Sequence, residues 1–474
     1  MILLIETIRS LVAIPSVTGA APEPGKPYGP YVYEALETAL GICEGLGFRT
    51  KLDDEGYYGY AEIGAGEELM GILVHLDVVP PGSGWTHDPY GCEIQDGKPF
   101  GRGVVDDKGP AVAVMYAMKD ILDSALVLDK RVRLILASQE EDGPWADIAR
   151  YKAQEEIPGF GFTPDASFPA TFGEKGILAV ALSMPAARAG FRAVQGGTAT
   201  NMVADQAQAV LMDGTVLETR GRSAHGSMPE LGDNAITKLM AQAITHDCPF
   251  AQFYMDHIGE ALNGEGLGIA LEDRASGGLT LNVGKIELAE GKVTMHLDIR
   301  YPVTFSPQDV LTPLEGVCAA HGLTLVKEDW MAPVYMDANG PVISALMAAY
   351  REVTASDMPP TVMGGGSYAR AMEHIVAFGP VFPWRESTEH VADEYIYVED
   401  LEKIREIYRL AIEKLACHRT IIKKRMILVK KGLKLLSVLN DRARSPDAGR
   451  WHHDDGGICP QRRNDSRGEN PSSR

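Results

Sequence analysis

Several features are scarce or missing in this 474-residue sequence. It has no apolar run of ~20 residues, the length a helix needs to cross a bilayer, so no transmembrane segment is expected. Its six cysteines (Cys43, Cys92, Cys248, Cys318, Cys417, Cys459) include no CxxC pair and no zinc-finger spacing. A disulfide framework or a thiolate metal site is therefore not the organising device, and the chain reads as reduced and cytoplasmic. The start, MILLIETIRS, lacks a basic n-region and is interrupted by Glu6, so it is not read as a secretory signal. Basic charge is also short: 45 Lys+Arg stand against 65 Asp+Glu, a net charge of −20. Neutralising a phosphate backbone takes basic patches, so a nucleic-acid partner is not expected. The shortage is uneven, because residues 419–474 hold 14 Lys+Arg and 6 Asp+Glu, leaving 31 against 59 for residues 1–418.

What is present reads as an α/β protein. Helical patterns over Glu6–Val12 and Val32–Leu46 lead to short apolar runs, MGILV (Met70–Val74) running into His75 and VRLILA (Val132–Ala137) running into Ser138. Between them, Gly109–Leu122 is small and apolar enough for a buried helix. Open α/β sheets build their sites just beyond the carboxyl ends of such strands. From about Ile177 the texture changes. Strand patterns at Thr215–Gly221, Leu279–Val283 and Lys292–Ile299 mix with helical ones at Asn234–Thr245 and Pro307–His321, suggesting an antiparallel sheet with helices on one side. Near Asp337 the first texture returns: helix Val342–Val353, a turn at Gly364–Gly366, strand His374–Phe378 and helix Val398–Ala416. The last carries an apolar face of Leu401, Ile404, Tyr408, Ala411 and Leu415. The expectation is one α/β domain in two parts, residues 1–176 and 336–417, interrupted by an inserted α+β domain over 177–335 and followed by a basic tail, 418–474.

Five segments beside strand ends or in loops carry acids or histidines: VHLDVVP (His75, Asp77), GRGVVDDKG (Asp106, Asp107), SQEEDG (Glu140, Glu141), TPDASF (Asp165) and STEHVADE (His390). Two imidazoles with several carboxylates and no thiolate suit divalent ions of intermediate softness, and two such ions can share a carboxylate. The other histidines, His257 and His321 among them, are read as structural or solvent-exposed.

Taken together, HLDVVPPGSGW, GRGVVDDKGP, the Glu pair after an apolar strand, PDASFP with GEKG, GRSAHGSMPELGDNA, GGGSYAR and EHVADEY resemble the M20 metallopeptidases, and within them the PepV-type dipeptidases. The resemblance spans about residues 1–417 in order and interval. It implies an aminoacylase-like zinc-peptidase domain with an inserted, ferredoxin-like lid, two divalent ions (zinc, with manganese or cobalt as alternatives), and a dipeptide substrate. By position, His75, Asp106 and Asp165 would hold one ion and Asp106, Glu141 and His390 the other. Asp77 would orient the His75 imidazole. Glu140 would be the general base for a metal-bridged hydroxide. From the lid, His225 would stabilise the oxyanion, while Asn201 and Arg300 would contact substrate, Arg300 through its carboxylate. Gly365, Gly366 and Ser367 would receive that carboxylate on backbone N–H groups. The family's peptide after the bridging Asp is often cis, here Asp106–Asp107.

Gln139 and Asp142 depart from the family pattern around the Glu pair. An amide deacylase of the acetylornithine deacetylase or succinyl-diaminopimelate desuccinylase kind shares the same ligands, and a silent peptide-binding protein would keep the same scaffold. The resemblance admits a monomer or a lid-mediated homodimer. In the tail, Thr420–Leu439 mixes Lys/Arg with large apolar residues, as a basic amphipathic helix does, and the rest reads as a poorly ordered extension.

Overall fold

The expected apolar runs form the centre of the first sheet. In the computed structural model, which describes residues 2–124 and 126–417, strands Leu69–His75 and Arg131–Ala137 lie parallel, with His75 opposite Ala137. Phe160–Thr163 joins Leu69–His75 in parallel, and Ile375–Ala377 follows it, also parallel. Thr171–Glu174 continues the sheet and takes Val334–Tyr335 and Thr361–Met363 as neighbours, while Gly59–Gly64 and Arg49–Leu52 extend the other end antiparallel. Alternate residues of one strand feed opposite faces. Ile72, Val74, Leu134 and Leu136 join a core built with helices Ile2–Val12, Pro30–Gly45, Lys108–Asp123, Pro341–Thr354 and Val398–Ala416. Leu73, Ile135 and Ala137 turn the other way, onto Ile148, Tyr151 and Tyr368.

Burial on both faces explains why these strands read as unbroken apolar runs. Glycine is demanded where Gly71 and Gly161 pair in adjacent strands, since a Cβ on Gly161 would stand 1.8 Å from the Gly71 carbonyl oxygen.

A second sheet of seven strands is antiparallel throughout, in the order Val216–Arg220, Gln206–Leu211, Phe191–Gly196, Thr280–Ala289, Lys292–Tyr301, Gly176–Pro185, Thr324–Met331. Helices Ala235–Ala243, Pro249–His257 and Pro307–His321 cover one face through a separate core that includes Leu239, Phe250, Val310, Leu297 and Val180. Four of the seven strands lie outside the strand patterns expected from the sequence. Gln206–Leu211 (QAQAVL), for example, buries only alanines and a leucine on its inner face. Residues 418–474, to which the basic tail and its amphipathic segment were assigned, lie outside the described residues.

Candidate metal centre

The parallel strands of the first sheet all end on one side, and this places the acidic segments together. His75 is the last residue of its strand, Glu140 and Glu141 follow Arg131–Ala137 by three and four residues, and Asp165 follows Phe160–Thr163 by two. Asp106 arrives just before helix Lys108–Asp123, across a cis Asp106–Asp107 peptide, and His390 from a loop where its φ is 62°.

The Asp106 carboxylate turns one oxygen to each histidine. Its Oδ1 lies 2.8 Å from His75 Nε2 and its Oδ2 2.9 Å from His390 Nε2. Asp165 Oδ1 approaches His75 Nε2 at 3.9 Å, and Glu141 Oε2 lies 3.0 Å from His390 Nε2. Two three-residue groups result, His75–Asp106–Asp165 and Asp106–Glu141–His390, with the donor atoms of each within 4.8 Å of one another. The donors fit divalent ions of the zinc kind: imidazole nitrogen, carboxylate oxygen and no thiolate.

The electrostatics point the same way. Burial, and then the charge of Asp106, push Asp165 up to about 7. Burial, and then Asp165, push Glu140 up to about 9. The Asp106 and Glu141 partners raise His390 to about 10. For His75, burial works downward but is outweighed by hydrogen bonding with Asp106 and Asp77, which lifts it well above the usual imidazole range. Burial works upward on Asp106, yet the two imidazoles hold it below the carboxylate range. Such a concentration of buried acid gains from cations.

The segments bearing Glu141 and Asp106 are suspended from buried carboxylates supplied elsewhere in the chain. Asp77 was expected to orient His75 through its carboxylate. His75 Nδ1 faces two Asp77 oxygens, 3.0 Å from the backbone carbonyl and 3.5 Å from the carboxylate. The Asp77 carboxylate itself accepts the amide N–H groups of Glu140 (3.1 Å) and Glu141 (3.0 Å). Asp147 accepts those of Ser138 (2.6 Å) and Gln139 (3.0 Å), together with the Tyr368 hydroxyl at 3.2 Å. The Tyr368 amide in turn donates to Asp165. Glu394 pairs with Arg102 at 2.6 Å and accepts from the amides of Gly103 and Val105, just ahead of Asp106. Trp145 Nε1 donates to the Glu140 carbonyl. Gln139 and Asp142 contribute to the loop rather than to the donor groups: the Gln139 side chain accepts from the Ala146 amide, and Asp142 accepts from the Thr18 hydroxyl at 3.4 Å.

His225, Asn201 and Arg300 lie together on the second sheet and its loops. Gly226 N–H donates to the Asn201 carbonyl, and Met202 bridges to His225. The Ser227 amide donates to His225 Nδ1 at 3.2 Å, which leaves the proton of a neutral ring on Nε2. Burial and the Arg300 charge lower the His225 pKa, favouring that neutral form.

Arg300 departs from expectation. Rather than a guanidinium open to a substrate carboxylate, it forms a buried fork with Asp298 (2.7 and 2.9 Å) and donates to the Gly364 carbonyl at 3.1 Å. The fork sits two residues apart on one strand, where side chains share a face. Ser367 departs too, because its amide and hydroxyl are both engaged by the buried Glu174, which also pairs with Arg370. Gly365 and Gly366 keep their place in the turn, with the Gly365 carbonyl held by Arg370. Asp147, Glu174, Asp298, Arg370 and Glu394 were not singled out from sequence. Glu394, four residues past His390, and Glu174 in GEKG sit inside recognised motifs, whereas Asp147 carries no such signal.

The model of peptidase family M20/M25/M40 matches residues 71–414. The chain belongs to this family. Its M20 membership makes it a metallopeptidase, a metal-dependent hydrolase. YtjP of Bacillus subtilis, named a putative dipeptidase, is 35% identical over 433 residues, covering 83% of this chain and 92% of that protein. Among solved structures, aminoacylhistidine dipeptidase from Vibrio alginolyticus superposes with a TM-score of 0.59 at 13% identity, covering 88% of this chain and 97% of the other. Human carnosine dipeptidase 1 gives 0.54 at 17% identity, covering 87% and 95%. The M20 fold, with its aminoacylase-like catalytic architecture, is thus shared at low identity. No helix among the described residues is long and apolar enough to cross a membrane.

Proposed function

We propose that this M20 protein hydrolyses the peptide bond of dipeptides and other short peptides with a free N-terminus, using two divalent cations. His75, Asp106 and Asp165 would hold one, and Asp106, Glu141 and His390 the other, with zinc the best match to the donors and manganese or cobalt as alternatives. The observation that carries the reading is the Asp106 carboxylate, which offers one oxygen to each histidine and so belongs to both donor groups. When bound, such ions supply Lewis acidity to the scissile carbonyl and to the attacking water.

The rest falls to the chain's own groups. Glu140 belongs to neither donor group, and its backbone is fixed by Asp77 and Trp145. With bound cations offsetting the neighbouring acids so that its carboxylate is ionised, it would take the proton of the attacking water and return it to the leaving amine. His225, neutral and carrying its proton on Nε2, donates to the oxyanion that develops on the carbonyl. The Gly365 and Gly366 amides receive the peptide's carboxylate. Arg300, with its fork closed on Asp298, holds the turn through Gly364 rather than clasping substrate. Residues 177–335 then act as a lid on a catalytic domain made of 1–176 and 336–417.

The name of the YtjP relative supports a dipeptide substrate. The test is a hydrolysis screen of zinc-, manganese- or cobalt-loaded protein over dipeptides and N-acyl amino acids, with products read by mass. Cleavage of dipeptides bears the proposal out; cleavage confined to N-acyl amino acids would make the chain a deacylase on the same scaffold.

A further inference from the structure

Away from the acidic centre, two imidazoles meet on the helical side of the second sheet. His257 closes helix Pro249–His257 and His321 closes helix Pro307–His321, so both stand where the helix carbonyls present partial negative charge. Phe253 packs beneath both rings, its centroid 4.9 Å from His257 and 5.3 Å from His321.

The geometry departs from that of a straight hydrogen bond and suits two ligands of one cation. His257 Nδ1 donates to the Gly266 carbonyl at 2.9 Å, which puts the lone pair of the neutral ring on Nε2, facing His321, the arrangement common behind metal-ligating histidines. The two Nε2 atoms are 3.0 Å apart. A straight N–H···N bond of that length would set the ring centroids ~5.3 Å apart. Two imidazoles meeting one cation at ~2.1 Å with a right-angled bite set them ~4.6 Å apart. The rings stand 4.5 Å apart with planes at 69°, which falls with the second arrangement. The bite also discriminates between metals. At that bond length a right angle separates the nitrogens by ~3.0 Å and a tetrahedral angle by ~3.4 Å, so the pair suits a tetragonal ion better than zinc.

We propose that His257 and His321 form a surface site for a tetragonal divalent cation, copper(II) ahead of nickel(II), with water completing the coordination and the ion tying the ends of two helices together. The proposal is independent of the peptidase reading.

The test uses the full zinc-loaded chain carrying His452→Gln and His453→Gln, which removes the adjacent imidazoles of the C-terminal segment. Copper(II) is titrated in and read by electron paramagnetic resonance. The expected result is a tetragonal copper signal with coupling to two nitrogens, and an apparent Kd raised ~10-fold or more in both His257→Gln and His321→Gln. His321→Asp, which returns a donor oxygen, recovers part of the affinity while coupling to one nitrogen is lost. A parent protein without the two-nitrogen signal, or a His257→Gln or His321→Gln variant that keeps the parent's affinity and couplings, overturns the proposal.

Discussion

Replacing Asp298 by Asn puts the contact between the second sheet and the Gly364–Ser367 turn to a quantitative test. Asp298 and Arg300 are both buried, at 2% and 4% exposure, and their fork is bidentate. Removing one charge leaves the Arg300 guanidinium buried without its counter-ion, a change that costs ~3–5 kcal/mol. An arginine held open for substrate would show no such loss in ligand-free protein. Removing both partners together, Asp298→Asn with Arg300→Met, leaves no orphaned charge and costs less than the two single changes added. Urea unfolding of the four proteins completes the cycle. Because Arg300 also holds the Gly364 carbonyl, the single variants are expected to raise KM for dipeptides more than they lower kcat. Single variants within ~1 kcal/mol of the parent, or a double variant as costly as the sum, would refute the argument that Arg300 serves the fold.

Glu140→Ala should lower kcat by ~100-fold or more while the protein keeps its full complement of cations, measured by elemental analysis beside steady-state kinetics. Gly161→Ala should destabilise the first sheet by ~1–3 kcal/mol or more, because the new methyl meets the Gly71 carbonyl in a central strand, and thermal melting reads the loss. Asp393 is held down to about 2; burial works against this, and hydrogen bonds from Thr86 and His87 prevail. A carboxyl group lowered in the fold stabilises it above the unfolded value of ~3.9 and loses that contribution as pH falls through the folded one. The protection factors of the Thr86 and His87 amides, which divide out the intrinsic pH dependence of exchange, should therefore stay high at pH 5 and fall as pH drops toward 2, and those of Asp393→Asn should be low at both.

The donor residues were legible because each follows a strand or sits in a short acidic motif, and parallel strands deliver their carboxyl ends to one place. His75 at the end of MGILV and the Glu pair after VRLILA show this directly. The buried carboxylates behind them were not legible. In sequence, Asp147 looks like any surface acid and Glu394 sits in EHVADEY with no mark of its role, and only the fold shows that they take up loop amides otherwise lacking partners. Arg300 illustrates a related difficulty: its partner, Asp298, lies two residues away, but nothing in the spacing says whether the pair closes on itself or opens to a ligand. The second sheet is faint in the sequence because strands such as Gln206–Leu211 present small and polar residues, too weak an alternation to stand out. The histidine pair escaped because His257 and His321 are distant in sequence and become neighbours only when their helices end side by side.

The most direct test counts cations and activity together. Elemental analysis of the reconstituted protein should find two divalent ions per chain in an enzyme that cleaves dipeptides. Asp106→Ala, which removes the shared carboxylate, should lose both ions and all turnover, whereas His390→Ala should give up one ion more readily than the other. Dipeptide cleavage by an Asp106→Ala protein, or full turnover with no divalent ion bound, would contradict the account.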